Sequence, residues 1–259
     1  MDLGITGRAA IVTGGSKGIG RACVEALLAE GAMVCAVSRD TTPLDGLVAD
    51  HGARLVTAAC DLTTTNGCDA AVRACLDAFG HADILVNCAG SAGMGNVLDL
   101  PVEAIDSALL LKLHGYLRMA QQVAPSMIEQ RWGRIVNVAG SAGTSPTADN
   151  LPMSLANIGV HNLTRALSDE LAPSGIQVNL VAPGLTLTGR ATALFTEAAA
   201  ERGRDPLDLI AEAGAAVPVG RAAQPDEVAR VVTFLASEAC SYVQASALYM
   251  DGGARRATP

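Results

Sequence analysis

Short apolar segments alternate with longer segments of helical periodicity along nearly the whole chain, and this alternation restricts the possible folds most strongly. The apolar segments are rich in Val, Ile, Leu and Ala at successive positions, so both faces of each predicted strand are expected to be buried. The segments are Arg8–Thr13, Met33–Ser38, Arg54–Ala59, Ile84–Asn87, Ile135–Ala139 and Gln177–Val181. Strands of this kind joined by helices form right-handed βαβ units. We therefore predict an α/β fold, with a doubly wound parallel sheet between two layers of helices.

The segments between the predicted strands have the apolar spacing of amphipathic helices. We predict helices at Gly18–Glu30, Thr64–Phe79, Val102–Gln130 and Leu155–Ala172. A further Ala-rich helical segment at about residues 188–217 would lie over the carboxyl edge of the sheet, where open α/β folds bind ligands. We predict one domain over residues 1–259, in which residues 188–217 form a lid or, alternatively, a peripheral packing helix.

Composition excludes several classes of partner. The formal net charge is −8, which argues against nucleic acid and anionic membrane surfaces. No apolar run approaches the roughly 18 residues of a membrane span, and the start of the chain lacks the pattern of a secretion signal. The 7 Cys residues include no CxxC pair, so we expect small, buried and reduced thiols. These features predict a cytoplasmic protein without a bound metal.

A glycine-rich turn, TGGSKGIG at residues 13–20, connects the first predicted strand to the first predicted helix. Glycines in such a turn allow a pyrophosphate to approach the backbone, and the free N–H groups at the start of the helix attract its charge. A structural turn without a ligand is the alternative. The residues expected to hold the phosphates of a dinucleotide are Gly14, Ser16, Lys17, Gly18, Ile19 and Gly20.

The end of the second predicted strand bears on which nicotinamide cofactor binds. An acidic residue there would bond the ribose 2′-hydroxyl and repel a 2′-phosphate. The sequence has Arg39 instead, and Lys17 is a second cation nearby, so NADP(H) is favoured. Asp40 follows directly, which leaves NAD(H) possible. Asp61, at the end of the third predicted strand, is expected either to accept a hydrogen bond from the adenine amino group or to be a helix N-cap.

Further motifs occur in order along the chain: NxAG at residues 87–90, PG at residues 183–184 and DGG at residues 251–253. With the glycine-rich turn, they resemble the short-chain dehydrogenase/reductase family in its compact single-domain form, over nearly the whole chain. The resemblance implies a Rossmann fold and a nicotinamide cofactor. Additional residues expected at the cofactor are Leu62, Asn87, Ala89, Gly90, Asn157, Pro183, Gly184 and Thr188.

The usual catalytic residues of that family are all replaced in this sequence. The family uses a Tyr, a Lys one helical turn later, a Ser upstream of the Tyr, and an Asn in the preceding long helix. These positions carry, in the same order, Met153, Asn157, Gly140 and Lys112. A thioether has no exchangeable proton, a neutral amide does not lower the pKa of a phenol, and glycine has no side chain. The family's usual route of proton delivery is therefore not expected.

Three residues are candidates for another proton route. Lys112 would bond a substrate oxygen or carboxylate, or act as an acid or base if burial lowers its pKa; alternatively, it lies on the outer face of its helix. Tyr116 follows four residues later on the same predicted helix face, where it either donates a proton or only packs. Ser141 directly follows Gly140, and a small backbone shift would bring its hydroxyl into the site.

We therefore favour an oxidoreductase that uses NADP(H) with a non-standard proton-delivery site. A non-redox enzyme, such as a lyase, dehydratase or isomerase, and a non-catalytic cofactor-binding homologue are the alternatives. The substrate is expected to be a small molecule with apolar character, because several apolar side chains are predicted near the site. These side chains are Met94, Leu185, Leu187, Leu194 and Phe195. The resemblance also implies a homodimer or homotetramer.

Overall fold

One parallel sheet organises the molecule. The computed structural model describes residues 1–90 and 93–256. In that part of the chain the strands are β1 (Ala9–Thr13), β2 (Met33–Ser38), β3 (Leu55–Ala59), β4 (Ile84–Asn87), β5 (Gly133–Val138), β6 (Ile176–Pro183) and β7 (Ala247–Met250). They form a 7-stranded sheet in the order β3-β2-β1-β4-β5-β6-β7, and every neighbouring pair is parallel. The doubly wound Rossmann architecture is thereby confirmed.

Helices cover both faces of this sheet. They are α1 (Gly18–Ala29), α2 (Asp45–His51), α3 (Thr65–Phe79), α4 (Val102–Ala108), α5 (Gly115–Gln130), α6 (Leu151–Leu171), α7 (Gly189–Arg202), α8 (Pro206–Ala215) and α9 (Pro225–Leu235). A stretch of wider, π-type turn at Leu109–His114 joins α4 and α5 into one helical run. Such stretches are frequent at functional sites.

Two apolar clusters lie on opposite faces of the sheet. On one face, Leu27 of α1 and Val232 of α9 belong to one cluster and are fully buried. On the other face, Cys75 of α3, Met119 of α5 and Leu167 of α6 form part of the second cluster. The strands are covered on both sides, which is why their sequences are apolar at successive positions. The three-layer arrangement follows.

The predicted helices differ from the structure in several respects, and α2 and α9 were not predicted. Helix α6 begins at Leu151 instead of the predicted Leu155, because Pro152 occupies its first turn, where the missing N–H costs no hydrogen bond. The predicted helix Val102–Gln130 is interrupted by the π-type stretch. Within the segment predicted at about residues 188–217, the structure has the two helices α7 and α8.

The order of the strands reverses next to β1. The chain proceeds outward from β1 to β3 on one side and from β4 to β7 on the other. A crevice opens at such a switch point, beyond the carboxyl ends of the strands, and open α/β sheets bind ligands there. The glycine-rich turn follows β1 directly, and thus lies at this crevice.

Candidate active site

The glycine-rich turn at residues 13–20 is shaped by close backbone contacts. Gly14 has a φ of 68°, a conformation that favours glycine, and a Cβ added there would lie 2.9 Å from the Cα of Ala89. A Cβ added to Gly20 would lie 2.1 Å from the carbonyl oxygen of Gly14. Neither position tolerates a side chain without rearrangement. The turn therefore holds the start of α1 close to the end of β1, with the helix N–H groups directed toward the crevice.

The NxAG motif at residues 87–90 is fastened to the end of β1. The hydroxyl oxygen of Thr13 accepts hydrogen bonds from the N–H groups of Cys88, at 2.9 Å, and Ala89, at 3.1 Å. The buried amide nitrogen of Asn87 donates to Oδ1 of Asn137 on β5 at 3.0 Å. These bonds fix the floor of the crevice across β1, β4 and β5.

The residues predicted to bind the adenosine half lie at the ends of β1, β2 and β3. The hydroxyls of Ser16 and Ser38 are 2.8 Å apart and hydrogen-bonded. Lys17, Arg39 and Asp61 are exposed to solvent. Cationic side chains at the start of α1 and at the end of β2 provide the positive charge that a 2′-phosphate requires.

Asp61 is not a helix N-cap, so that alternative is wrong. Its Oδ1 accepts hydrogen bonds from the backbone N–H of Thr63 at 3.0 Å and from the hydroxyl of Thr63 at 2.8 Å. Thr64 caps α3 instead, since its hydroxyl oxygen accepts from the N–H of Gly67. The bonds from Thr63, with a smaller contribution from the charge of Arg39, lower the pKa of Asp61. The carboxylate is therefore ionised and close enough to Arg39 to feel its charge.

A cavity of about 430 Å³ lies in the crevice. All four positions that correspond to the family's catalytic residues line it. Met153 and Asn157 belong to α6, Lys112 to the π-type stretch, and Gly140 follows β5. The predicted site residues along its wall are Ile19, Gly90, Lys112, Gly140, Ser141, Met153, Asn157, Pro183, Gly184 and Thr188. Other residues predicted for the cofactor are outside this wall: Gly14, Ser16, Lys17, Gly18, Gly20, Arg39, Asp61, Leu62, Asn87 and Ala89. They belong to the ends of β1 to β4 and the start of α1.

Lys112 extends from the π-type stretch into this cavity, and not onto the outer face of its helix. A Cβ added to Gly90 would lie 3.3 Å from its Nζ, so the amine is close to the NxAG motif. Burial lowers the pKa of Lys112 to about 8; the neighbouring Cys88 opposes this shift, and the positive charge of Arg190 adds to it. No carboxylate among the described residues forms an ion pair with this ammonium group. Lys112 is thus a poorly solvated amine with a pKa of about 8.

Tyr116 is not brought into the cavity, which corrects its candidacy as a proton donor. Its side chain is 1% exposed, and its hydroxyl donates to the carbonyl oxygen of Val138 at 3.0 Å. Burial raises the pKa of Tyr116 well above its usual value. The Nζ of Lys112 lies 5.9 Å from the centre of the Tyr116 ring, so the ring contributes a cation–π contact. Tyr116 supports Lys112 and offers no exchangeable proton to the cavity.

Asn157 presents an unsatisfied acceptor within the site. The residue is 1% exposed, and no described residue donates a hydrogen bond to its buried Oδ1. Its amide nitrogen would lie 3.2 Å from a Cβ added to Gly140. A buried acceptor without a donor is costly, and a ribose hydroxyl is a donor of suitable size. The residues present therefore fit a nicotinamide nucleotide.

Several residues along the cavity wall were not predicted, and two of them, Cys88 and Arg190, have ionisable side chains. Burial raises the pKa of Cys88 to about 11, so the thiol remains protonated. Arg190 follows Thr188 in the first turn of α7 and is exposed. The sequence feature that could have identified Arg190 is its position two residues after Thr188, a predicted cofactor residue. Of the predicted apolar residues, Leu185 and Leu194 line the cavity; Met94, Leu187 and Phe195 do not.

The segment at about residues 188–217 borders the site through Thr188 and the first two turns of α7. Thr188 caps α7 by accepting a hydrogen bond from the N–H of Ala191 at 3.2 Å. The methyl carbon of Thr188 would lie 3.3 Å from a Cβ added to Gly18, so the segment begins against the glycine-rich turn. No described residue of α8 lines the cavity. A lid movement remains a prediction.

Comparison with known proteins establishes the family. A family model described as enoyl-(acyl carrier protein) reductase matches residues 14–255. The chain belongs to the short-chain dehydrogenase/reductase family. The match spans the glycine-rich turn, the cavity and β7, so the resemblance seen in the motifs is confirmed. Within the part of this short-chain dehydrogenase/reductase that the structure describes, no helix is both long and apolar enough to cross a membrane.

Relatives of this short-chain dehydrogenase/reductase are named as reductases and dehydrogenases. The short-chain reductase protein NovJ of Streptomyces niveus is 34% identical over 94% of this chain and 92% of its own. The D-threitol dehydrogenase of Mycolicibacterium smegmatis is 33% identical over 98% of this chain and 95% of its own. The solved structure of L-sorbose reductase from Gluconobacter frateurii, complexed with NADPH and L-sorbose, has a TM-score of 0.95 with 30% identity and covers 100% of both chains.

Proposed function

We propose that this short-chain dehydrogenase/reductase is an NADP(H)-dependent reductase of an activated carbonyl group, with Lys112 as the proton donor. The observation that carries the proposal is the position of Lys112. Its amine lines the same cavity as Asn157, Pro183 and Gly184, the residues expected at the nicotinamide and its ribose. A proton donor and a hydride source would thus share one poorly solvated space.

The cofactor assignment is supported by the sequence, the structure and a relative. The glycine-rich turn at residues 13–20 and the start of α1 suit the pyrophosphate, and Asn157 supplies an acceptor for a ribose hydroxyl. Arg39 at the end of β2 favours a 2′-phosphate, and L-sorbose reductase is described in complex with NADPH. When bound, the reduced nicotinamide supplies a hydride.

The side chains of the cavity would donate the proton, bind the substrate oxygen and contact the apolar part of the substrate. At pH 7 Lys112, with a pKa of about 8, is largely protonated and loses its proton readily. Its ammonium group donates to the carbonyl oxygen as negative charge develops there, then regains a proton from water. The hydroxyl of Ser141 hydrogen-bonds the same oxygen. Met153, which has no exchangeable proton, contributes apolar surface.

The other hypotheses are less well supported. All three relatives described above are named as oxidoreductases, which favours hydride transfer over a lyase, dehydratase or isomerase and over a non-catalytic homologue. A small substrate with partly apolar character is proposed from Leu185, Leu194 and Ala108 along the wall. A cytoplasmic location and assembly into a homodimer or homotetramer remain predictions.

The experiment is NADPH oxidation with 2,2,2-trifluoroacetophenone and methyl 2-oxo-4-phenylbutanoate as activated ketones. We expect Lys112→Met to lower kcat/KM by about 10²- to 10⁴-fold, and to leave the Kd for NADPH within about twofold because Asn157 and the glycine-rich turn are unchanged. Lys112→Arg should lose a similar factor, since a guanidinium keeps the charge but does not release its proton.

A matched control comes from the same π-type stretch. His114 is exposed and outside the cavity wall, so His114→Gln should retain the native rate. Reduction by Lys112→Met at a rate within about threefold of native would exclude Lys112 as the donor. Full activity in Lys112→Arg would show that Lys112 contributes only a positive charge and not a proton.

A further inference from the structure

Lysines are rare in this chain, and one of them lies in the cavity. The chain has 2 lysines, Lys17 and Lys112, among its 18 cationic residues. The others are arginines, whose guanidinium group stays protonated and is not a nucleophile. Lys17 is exposed at the start of α1, whereas Lys112 lines the cavity from the π-type stretch. The cavity therefore contains a primary amine, the side-chain group that condenses with carbonyl compounds.

The surroundings of Lys112 favour the neutral form of its amine. The described residues that line the cavity include no Asp, Glu, His or Tyr, so no acidic side chain of this wall stabilises the ammonium form. Burial lowers the pKa of Lys112 to about 8. At pH 7 about 10% of the side chain is then the neutral, nucleophilic amine, compared with about 0.03% for a lysine of ordinary pKa. A desolvated lysine in an apolar pocket is well suited to form a Schiff base.

Two neighbouring side chains along the wall suit other roles. Burial raises the pKa of Cys88 to about 11, so its thiol stays protonated, and a thiol is a weaker nucleophile than a thiolate. The hydroxyl of Ser141 also lines the cavity, where it can donate a hydrogen bond to an oxygen atom. Addition to a carbonyl carbon in the cavity therefore falls to Lys112.

We propose that Lys112 is also a nucleophile, which forms a Schiff base with 3-oxo acids in the cavity and thereby catalyses their decarboxylation. This activity goes beyond the proposed reductase, because it needs neither NADPH nor a hydride. The ketone of a 3-oxo acid condenses with the amine, and its carboxylate meets no acidic side chain among the described lining residues. The apolar part of the wall, which includes Val138, Leu185 and Leu194, contacts the alkyl substituent.

The reaction balances with the substrate, Lys112 and water. The neutral amine adds to the ketone carbon, and the ketone oxygen takes one proton from the amine and one from solvent and leaves as water. The product is a protonated imine, which accepts electrons. The bond between the carboxylate and the α-carbon then breaks, its electron pair moves toward the imine nitrogen, and carbon dioxide leaves. The resulting enamine takes a proton from solvent at the α-carbon, and hydrolysis releases a ketone and free Lys112.

The test uses acetoacetate and no nicotinamide cofactor. We expect sodium borohydride to reduce the Schiff base left after loss of carbon dioxide, which attaches an isopropyl group to the amine. Peptide mass spectrometry should find this group on Lys112 at least about tenfold more often than on Lys17, the internal control in the same chain.

Variants then test the release of carbon dioxide. The rate with Lys112→Met and with Lys112→Arg should fall to that of acetoacetate in buffer alone, because neither side chain is a nucleophilic amine. His114→Gln, in the same π-type stretch but outside the cavity wall, should retain the native rate. Acetylacetone, a 1,3-diketone, should form a conjugated enaminone with the native protein, visible as a new near-ultraviolet absorbance band, and not with Lys112→Arg.

Each outcome decides the proposal. Equal labelling of Lys17 and Lys112, or no labelling, overturns it, and so does release of carbon dioxide that is unchanged in both variants. Should both variants fail to fold, the native protein decides: release stopped by acetylacetone supports the proposal, and release that continues overturns it. The proposed reductase is tested separately by NADPH oxidation. If that oxidation depends on Lys112 but no Schiff base is trapped, the reductase stands and the decarboxylase falls.

Discussion

The two ends of the crevice are built from different parts of the polypeptide. The phosphate end consists largely of backbone: the turn at residues 13–20, the start of α1 and the N–H groups fixed by Thr13. The proton-delivery end consists of side chains, with Lys112 reaching the cavity from the π-type stretch and Met153 and Asn157 reaching it from α6. A substitution at the first end disturbs backbone geometry, whereas one at the second changes chemistry within an intact wall. The first end therefore requires glycine at positions such as Gly14 and Gly20, whereas side chains at the second end can change without disturbing the backbone.

The largest effect that would sharpen this comparison is expected at Gly20. Gly20→Ala places a Cβ 2.1 Å from the carbonyl oxygen of Gly14, so the turn must move. We expect a loss of about 3 kcal/mol in the free energy of unfolding and NADPH binding weakened by at least about tenfold. Chemical denaturation and calorimetry measure the two quantities.

The control for this change is a glycine without close neighbours. No atom lies within 4 Å of a Cβ added to Gly46 in α2. Gly46→Ala should leave NADPH binding unchanged and raise stability by up to about 1 kcal/mol, because alanine favours a helix. If Gly20→Ala and Gly46→Ala change the free energy of unfolding and the Kd for NADPH equally, the phosphate end is not constrained by its backbone contacts.

A smaller effect is expected at the adenosine half. Arg39→Ala should raise the Kd for NADPH about tenfold, since a cation–phosphate bond is lost, and leave the Kd for NADH within about twofold. Arg165→Ala, on an exposed part of α6 where the side chain pairs with Asp169, is the control for general charge loss. Fluorescence titration with both cofactors gives the ratio of the Kd for NADPH to the Kd for NADH. Equal weakening for both cofactors would contradict a role for Arg39 at the 2′-phosphate.

The backbone end was largely predictable from the sequence, and the side-chain end only in part. Strands such as β2 and β4 are marked by successive apolar residues, and their bounds agree with the prediction. The prediction that Tyr116 shares a helix face with Lys112 was wrong, because it assumed the residue spacing of a regular helix. The i, i+4 rule assumes regular turns, but the π-type stretch before Tyr116 contains wider turns. Lys112 therefore enters the cavity, while Tyr116 packs in the core.

The surroundings of individual site residues were also beyond prediction from local sequence pattern. Arg190 and Lys112 line the same cavity because α7 begins against the glycine-rich turn, and neither residue predicts the position of the other from the sequence. Asp61 was predicted at the end of β3, but its local bonds to Thr63 decide that Thr64 caps the helix.

The pH dependence of stability gives the most direct test, because it needs no substrate. The folded-state pKa of Lys112 is lowered from 10.5 to about 8, so between these values the unfolded chain binds more protons than the folded one. The free energy of unfolding of the native protein should therefore rise with pH across that window, relative to Lys112→Met. Lys112 is only partly buried, so we expect a relative gain of about 1–2 kcal/mol.

Urea unfolding of the native protein and Lys112→Met at pH 7, 8, 9 and 10 measures this difference. We predict that Lys112→Met has the larger free energy of unfolding at pH 7, and that the difference from the native protein narrows steadily above pH 8. A gap that stays constant from pH 7 to 10 would show that Lys112 keeps its ordinary pKa in the folded protein. The cavity would then lack the proton donor on which the proposed reductase depends.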